Sequence, residues 1–248
     1  MKLFVVSFLV VLNFGKNNAR LAPILSACSR NDPNFEQCVK QVVERIRPNV
    51  AVGNFGEDQP SAPPLEPLWV KQMAIDHGPG FRVKLTNVTI EGSGAFEIRR
   101  VKLNVDEKQF NVSVKLPRML VSGQYALDMQ MPLLRISGQG DFNLILNNTI
   151  ANMRMRYYLE QEKETGGESV QFQPIQLKLK FDKGKFNLKN LFDGDAVLGQ
   201  IANDAINQDP HVLLDEVKPA FEQSLGNIFT EIANSAVRGA SELDILPL

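Results

Sequence analysis

The sequence has few of the residues on which metal, redox and catalytic chemistry depend. Its 248 residues include two cysteines, two histidines and one tryptophan. Two cysteines are too few for a cysteine-rich zinc site, and Cys28 and Cys38 are too far apart for a C-x-x-C redox motif. We therefore predict that the protein holds no metal and no cofactor.

An excess of charge of either sign is also missing. The 27 basic and 28 acidic residues leave a formal net charge of −1, so the chain as a whole attracts neither nucleic acid nor an anionic membrane. Basic residues stand singly among acidic and apolar ones, as at Lys178, Lys180, Lys183, Lys185 and Lys189. This spacing is typical of the solvated face of a sheet, and we predict no nucleic-acid partner.

Enzyme signatures are absent as well. The sequence contains no G-x-S-x-G elbow, no H-E-x-x-H motif and no P-loop. His77 lies in a turn flanked by glycine and proline, and His211 lies in the first turn of a predicted helix. We predict that the protein is not an enzyme. Hydrolysis of an ester ligand is the less favoured alternative, and it would need a buried Ser–His pair.

Long apolar runs occur only at the N-terminus. Lys2 precedes an apolar run from Leu3 to Leu12 that only Ser7 interrupts. The run is too short to cross a bilayer comfortably, but it has the length of a signal-peptide core. We predict a signal peptide over residues 1–19, with cleavage after Ala19 and other sites from 15 to 27 also compatible. The protein is then secreted and extracellular, without stable membrane insertion.

Two further features agree with export. In an oxidising compartment Cys28 and Cys38 would form a disulfide across a short loop. Three tripeptides have the form of N-glycosylation sites. We therefore predict this disulfide and a glycan on at least one of Asn87, Asn111 and Asn147.

Hydrophobic residues alternate with polar ones through residues 69–192, which predicts antiparallel β-strands. The apolar phase slips by one residue after Asn87 and again between Ile98 and Val101, as β-bulges would cause. Bulges bend and coil a sheet, and one face of this sheet is apolar throughout. We predict a long, strongly curved antiparallel sheet whose apolar face another element must cover.

Two helices are predicted after the sheet. Asp195 is placed to cap the first, and Asp209-Pro210 begins a second, longer one. The apolar stripe of the long helix consists of Leu214, Val217, Phe221, Leu225, Ile228, Ile232 and Ala236. A helix of this length could lie along the whole apolar face, so the pattern predicts an α+β fold.

Apolar side chains that face this interior are the candidate ligand contacts. Methionine adapts to irregular apolar partners, and an inward tyrosine can orient a ligand through one hydrogen bond. We predict contacts from Trp69, Tyr125, Met129, Met131, Phe142, Met153, Met155, Tyr157, Phe221, Leu225 and Ile228. The alternatives are that the methionines fill ordinary core and that the tyrosines bond to backbone.

Several segments, taken in order, resemble one protein family. The first is Gly80-Phe-Arg-Val-Lys-Leu-Thr-Asn-Val-Thr-Ile-Glu-Gly92. The second comprises Gly123-Gln-Tyr125, Met131-Pro-Leu133 and Ile136-Ser-Gly-Gln-Gly-Asp-Phe142. The third comprises Asn190-Leu-Phe-Asp-Gly-Asp195, Lys218-Pro-Ala-Phe221 and Ile228-Phe229. Together with Cys28 and Cys38, they resemble the takeout and juvenile hormone-binding protein family of insects over residues 28–246.

The resemblance implies an elongated single domain over residues 28–248, with a long C-terminal helix wrapped by a curved antiparallel sheet. This fold is similar to the tubular lipid-binding domains of bactericidal permeability-increasing protein. It implies an apolar tunnel for juvenile hormone, another terpenoid or a fatty-acid derivative, and a circadian or feeding-related role. We expect a monomeric carrier.

Within the family the chain resembles takeout more than the hormone-binding branch, which has a second, later cysteine pair. A secreted defence or surface-recognition protein that binds microbial lipid is the alternative function. That function would need a basic tip or an exposed apolar patch, and the sequence shows no strong basic cluster.

Overall fold

The computed structural model describes residues 28–55, 61–130, 135–161 and 166–248. The predicted signal peptide and the predicted ligand contact Met131 lie outside the described residues. Cys28 and Cys38 form the predicted disulfide, which ties the start of the described chain to the first helix.

The described residues form four helices and eight strands. The helices are α1 (Phe35–Val52), α2 (Ala196–Gln208), α3 (His211–Ala236) and α4 (Glu242–Ile245). The strands are β1 (Leu68–Asp76), β2 (Phe81–Glu91), β3 (Glu97–Asn104), β4 (Gln109–Gln130), β5 (Arg135–Gln161), β6 (Glu168–Phe172), β7 (Gln176–Lys180) and β8 (Lys183–Leu188). Pro48 lies inside α1, which continues to Val52. None of the helices within the described ranges is long and apolar enough to cross a membrane.

The strands form one antiparallel sheet whose centre is the pair β4–β5. Its hydrogen-bonded order is β1–β2–β4–β5–β6, with β3 beside β4 and with β7 and β8 beside β5. β4 has 22 residues and β5 has 27, several times the usual strand length of about five or six residues. One register joins them from Gln109↔Arg156 to Gln130↔Arg135.

Both predicted phase slips are register shifts in the sheet. The pairing of β2 with β4 shifts between Thr86 and Thr89, where Asn87 has a φ of 50°. The pairing of β3 with β4 shifts between Ile98 and Arg100. Because a bulge bends its strand and increases the local twist, these two positions help the sheet to curve.

β4 and β5 also change their buried phase at one common level. In β4 the change falls between Leu116 and Met119, and in β5 it falls around Asn148. Pro117, which has no N–H to donate, interrupts the paired positions there, and Asn148 has a φ of 52°. The register is the same on both sides of this interruption, so the apolar face turns without a register shift between the two strands.

The apolar face of the sheet packs around α3, as predicted. The main core joins residues of β1, β2, β4, β5, β7 and β8 to α2 and α3. The α3 residues fully buried in it are Leu213, Leu214, Val217, Phe221 and Leu225. Asp195 caps α2 as predicted, because its Oδ1 accepts hydrogen bonds from the N–H groups of Val197 and Leu198.

The segment after α3 forms a second core with β6 and the end of β5. Its buried members are Tyr157, Val170, Phe172, Val237, Ala240, Ile245 and Leu246. Arg30 donates hydrogen bonds of 3.0 and 2.6 Å to the Leu246 carbonyl oxygen. The disulfide-bonded N-terminal segment and the C-terminus are therefore fixed to each other beside this core.

Candidate functional site

Two small apolar cavities lie between α3 and the sheet. The larger, about 50 Å³, is lined by Leu68, Ile90, Ser93, Leu116, Met119, Val121, Leu146, Ala151, Leu179, Phe181, Phe221, Leu225 and Phe229. The smaller, about 30 Å³, is lined by Val83, Leu85, Tyr125, Leu127, Phe142, Leu144, Phe186, Leu188, Leu213, Val217 and Phe221. Phe221 is common to both linings. Because burial of an unpaired polar group is costly, these largely apolar linings favour apolar ligand groups.

Four of the predicted contacts meet at these cavities. Phe221 lines both, Leu225 lines the larger, and Tyr125 and Phe142 line the smaller. Met129 is buried in the same core. Strand phase and helical face, read from the sequence, therefore predicted that these five residues share one interior surface.

The other predicted contacts are distributed over two cores. Met153 and Ile228 are half-buried against the main core. Met155 is half-buried against the second core, in which Tyr157 is fully buried. For these four residues the structure agrees with the alternative that they fill core, because the linings of the two interior cavities do not include them.

The prediction of Trp69 as an interior contact is wrong. Its side chain is 54% exposed, whereas its neighbours Leu68 and Val70 are buried. Leu68 pairs with Ile90 and Val70 pairs with Val88, and these cross-strand pairs determine which face of β1 points inward. All three residues are apolar in the sequence, so their composition did not reveal the phase.

The two inward tyrosines use their hydroxyl groups within the protein. Tyr125 donates a 2.7 Å hydrogen bond to the Lys189 carbonyl oxygen, and burial raises the pKa of Tyr125 to about 12. The Tyr157 hydroxyl lies 2.7 Å from Glu242 Oε1, and burial, followed by this hydrogen bond, raises the pKa of Tyr157. Both hydroxyls therefore stay protonated at neutral pH and hold the surrounding segments.

A stripe of side chains on α3 ties the helix to the sheet edge formed by β6 and β7. Asn234 accepts a 2.7 Å hydrogen bond from the Phe172 N–H and donates a 3.3 Å bond to the Phe172 carbonyl. Four residues earlier, Thr230 Oγ1 accepts a 2.8 Å bond from the Ile175 N–H. These side chains satisfy strand groups that would otherwise be exposed along an edge.

The stripe continues towards the start of α3. Gly226 lies against β7 so closely that a Cβ atom there would be 2.6 Å from the Ile175 carbonyl oxygen. Glu222 accepts a 2.8 Å bond from the Leu179 N–H and forms a 2.8 Å ion pair with Lys178. Thus every fourth residue of α3 makes this edge contact.

α2 makes the same kind of side chain-to-backbone hydrogen bonds with β8. Asn203 accepts from the Leu188 N–H and donates to the Leu188 carbonyl, and Asn207 does the same with Phe186. Four helical residues rise about 6 Å and two strand residues span about 6.6 Å, so the two spacings match. We call these contacts of α2 and α3 with β6, β7 and β8 the polar seam. Sequence reasoning missed it, although the four-residue spacing of Asn203 and Asn207 was visible.

The opposite edge of the sheet meets α3 differently. β1 packs against α3, and Leu68 shares the larger cavity with Leu225 and Phe229. Within the described residues, the polar contact across this edge is a 2.8 Å pair between His77 Nδ1 and Glu216 Oε2, both of them largely exposed. We call this contact of β1 and the His77 turn with α3 the apolar seam.

A family comparison agrees with this architecture. The family model described as haemolymph juvenile hormone binding protein matches residues 5–247. The chain belongs to this family. Among solved structures, takeout 1 of Epiphyas postvittana matches with a TM-score of 0.77 and 23% identity, covering 90% of this chain and 100% of that chain. The match confirms the fold, a long antiparallel sheet packed on a C-terminal helix.

A curated relative in the comparison is the circadian clock-controlled protein daywake of Drosophila yakuba. It is 26% identical over 120 residues, which are 48% of this chain and 45% of that protein. The match therefore spans less than half of the relative's length.

The positions of the two histidines bear on the esterase alternative. His77 and His211 are both exposed, so neither can supply the buried Ser–His pair that the esterase alternative needs. The described residues contain no group of three or more His, Cys, Asp or Glu side chains placed to hold a metal ion.

Proposed function

We propose that the protein is a secreted carrier that binds one small hydrophobic molecule between α3 and the sheet. The observation that carries the proposal is the pair of apolar cavities with Phe221 in both linings. The ligand class is a juvenile hormone-like terpenoid or a fatty-acid derivative. Burial of such a molecule is favourable by about 25 cal/mol per Å² of apolar surface.

Binding has to enlarge the interior. The cavities measure about 50 and 30 Å³, whereas pockets for ligands of this class measure about 300–1,000 Å³. Rotation of the Phe221 ring, or a shift of α3 away from β1, would merge the two cavities. Ligand uptake is therefore coupled to a rearrangement of α3 against the sheet.

The apolar seam is the proposed route of access. Opening it breaks one exposed hydrogen-bonded pair, His77–Glu216, and apolar contacts that a hydrophobic ligand can replace. Opening the polar seam would instead leave backbone groups of β6, β7 and β8 without partners, which costs about 1–3 kcal/mol for each buried group. The ligand accordingly passes between β1 and α3.

Thr149 indicates that the ligand carries a polar oxygen. Its Oγ1 is the buried side-chain atom of the described residues that has no hydrogen-bond partner. Thr149 pairs with Leu116 and lies between Leu146 and Ala151 along β5, and these three residues line the larger cavity. Thr149 itself is not part of that lining, so its hydroxyl reaches a ligand only when the cavity enlarges, and a ketone, ester or carboxyl oxygen would then pair with it.

In a secreted protein the three predicted glycosylation sites would become accessible to different degrees, because their side chains differ in exposure. Asn87 is exposed at its bulge, whereas Asn111 and Asn147 are half-buried. Asn87 is the site at which a glycan disturbs the folded protein least.

The experiment is native mass spectrometry and organic extraction of protein secreted from eukaryotic cells, followed by uptake of fluorescent terpenoids and fatty acids. We expect one bound apolar molecule per chain. In Leu225→Trp the larger cavity is filled, so occupancy should fall at least about tenfold, whereas Val212→Trp on the exposed side of α3 should match the wild type.

Equal uptake by both tryptophan variants, or a wild type that binds none of the panel, would contradict the proposal. Thr149 completes the predicted glycosylation site at Asn147, so Asn147→Gln, which lacks the same glycan, is the reference for any Thr149 variant. Should Leu225→Trp fail to fold, Thr149→Val tests the same site with a side chain of similar shape. It is expected to weaken oxygen-bearing ligands at least about tenfold and to leave hydrocarbon probes unchanged.

A further inference from the structure

The outer face of the sheet carries a groove whose charged lining is entirely basic. The groove has a volume of about 720 Å³ and lies over β3, β4, β5 and β7. Its charged lining residues are Arg99, Arg100, Lys102, Arg154 and Lys178. The rest of its described lining is Asn111, Val112, Ser113, Asn152, Met153 and Gln176. This concentration occurs in a chain whose net charge is −1.

Strand register explains how singly spaced basic residues converge there. One row across the sheet reads Lys102, Asn111, Arg154, Gln176, and the next reads Arg100, Ser113, Asn152, Lys178. In both rows neutral side chains separate the two basic ones, so like charges are not directly opposite one another. With strands about 4.8 Å apart, the two cations of a row stand about 10–14 Å apart. The bulge in β3 leaves the consecutive Arg99 and Arg100 both exposed.

Nearby carboxylates neutralise this groove only at its margins. Glu222 pairs with Lys178 at 2.8 Å. Glu36 of α1 pairs with Lys40 at 2.8 Å and is close enough to Arg100 to interact with it electrostatically. Within the described chain, Lys102 and Arg154 form no ion pair, and their charges face the groove without a carboxylate.

A second outer groove on the same sheet has a charged lining of both signs, so the excess of positive charge belongs to the first groove. It measures about 490 Å³ and is lined by three carboxylates and two cations, namely Asp76, Asp128, Asp193, Arg82 and Lys84. Arg82 and Arg135 both pair with Asp128. The same sheet therefore balances its charges in one groove and leaves them unbalanced in the other.

We infer that the basic groove binds a sulfated polysaccharide. Guanidinium and ammonium groups pair strongly with sulfate oxygens, and the floor of amides and a serine hydroxyl can bond sugar hydroxyls. The lining has no aromatic ring on which a nucleic-acid base could stack. Its two apolar residues, Val112 and Met153, pack against the core and leave nothing to insert into a bilayer.

Asn111, a predicted glycosylation site, lies in the middle of this groove. A glycan there would cover the basic face. The test therefore uses the full chain exported to a bacterial periplasm, where the Cys28–Cys38 disulfide can form and no N-glycan is added.

Binding to immobilised heparin is measured at about 150 mM NaCl, where the screening length is about 8 Å. The triple variant Arg100→Gln/Lys102→Gln/Arg154→Gln is compared with Lys71→Gln/Lys84→Gln/Lys185→Gln. Each triple variant loses three exposed positive charges, and the second loses them outside the groove. We expect the groove variant to bind at least about tenfold more weakly and the control to change less than about twofold.

Three results would overturn the inference. They are a wild type that does not bind heparin, an equal loss of binding in both triple variants, and equal binding of unsulfated hyaluronan. Binding to phosphatidylserine vesicles through the same three residues, without heparin binding, would show that the partner is a membrane. Melting temperatures of both variants within a few degrees of the wild type are required, and single substitutions replace a triple variant that fails this criterion.

Discussion

The two edges of the sheet hold the long helix α3 and its neighbour α2 by different means. At the polar seam, eight hydrogen bonds join helix side chains to the backbone of β6, β7, β8 and Ile175, the residue directly before β7. At the apolar seam of the described chain, the exposed His77–Glu216 pair and hydrophobic contacts hold β1 and its turn against α3. The same helix is thus fixed in register on one side and only packed on the other.

The contacts at the two seams differ in what it costs to break them. Hydrogen bonds to an edge strand are directional, and breaking them leaves unpaired groups. Hydrophobic contacts are non-directional, and a ligand that enters can replace them. If the protein is the carrier proposed above, it opens along β1 without losing the register of its sheet.

The largest effect is expected at Gly226, where α3 approaches β7 most closely. In Gly226→Ala the new Cβ would lie 2.6 Å from the Ile175 carbonyl oxygen, so the helix must move out of the polar seam. We expect the free energy of unfolding to fall by about 2–3 kcal/mol, even though alanine favours the helix. Urea unfolding followed by circular dichroism measures the change.

Gly199 of α2 supplies the control for that prediction. A Cβ at Gly199 would lie 3.8 Å from the Leu191 carbonyl oxygen, which is an ordinary contact. Gly199→Ala should therefore leave stability unchanged or raise it by up to about 1 kcal/mol. A Gly226→Ala protein as stable as Gly199→Ala would show that the polar seam tolerates displacement of the helix.

A smaller effect is expected where α2 joins β8. The double variant Asn203→Ala/Asn207→Ala removes the partners of the Phe186 and Leu188 backbone groups. Because these groups are only part-buried, water can replace the lost partners, so we expect a loss of about 1–2 kcal/mol for the pair and faster amide exchange at both strand residues. Gln200→Ala, which removes a 2.8 Å bond to Asp204 on the exposed face of α2, should cost less than about 0.5 kcal/mol. Equal losses in the two proteins would mean that the seam contributes no more than a surface contact.

These two seams also show what a sequence can and cannot predict here. The alternation of β2 and the helical spacing of α3 predict the apolar interior, because each pattern lies within one element. The slips after Asn87 and Ile98 predict the bulges for the same reason. Trp69 was placed on the wrong face because its two neighbours are also apolar, and only the pairing with β2 decides between them.

Features that depend on two or more strands could not be predicted from such patterns. The polar seam joins residues far apart in the sequence, such as Asn234 and Phe172. The basic groove brings Lys102 of β3 beside Arg154 of β5, 52 positions later, through their common neighbour Asn111. A list of single basic residues contains no information on that register, which is why the sequence indicated a solvated sheet face only.

The smallest effect on stability, and the most informative for ligand exchange, is expected at His77. His77→Ala removes the hydrogen-bonded pair with Glu216, and because both side chains are largely exposed the free energy of unfolding should change by less than about 0.5 kcal/mol. Since that pair is the polar contact holding the apolar seam, release of a bound fluorescent fatty acid should accelerate by up to about twofold. Lys218→Ala breaks an exposed pair with Asp215 on the same helix and should leave the release rate unchanged.

Only the edge through which the ligand passes can alter its rate of exit. Release that is unchanged in His77→Ala but faster in Asn203→Ala/Asn207→Ala would therefore place the route at the polar seam.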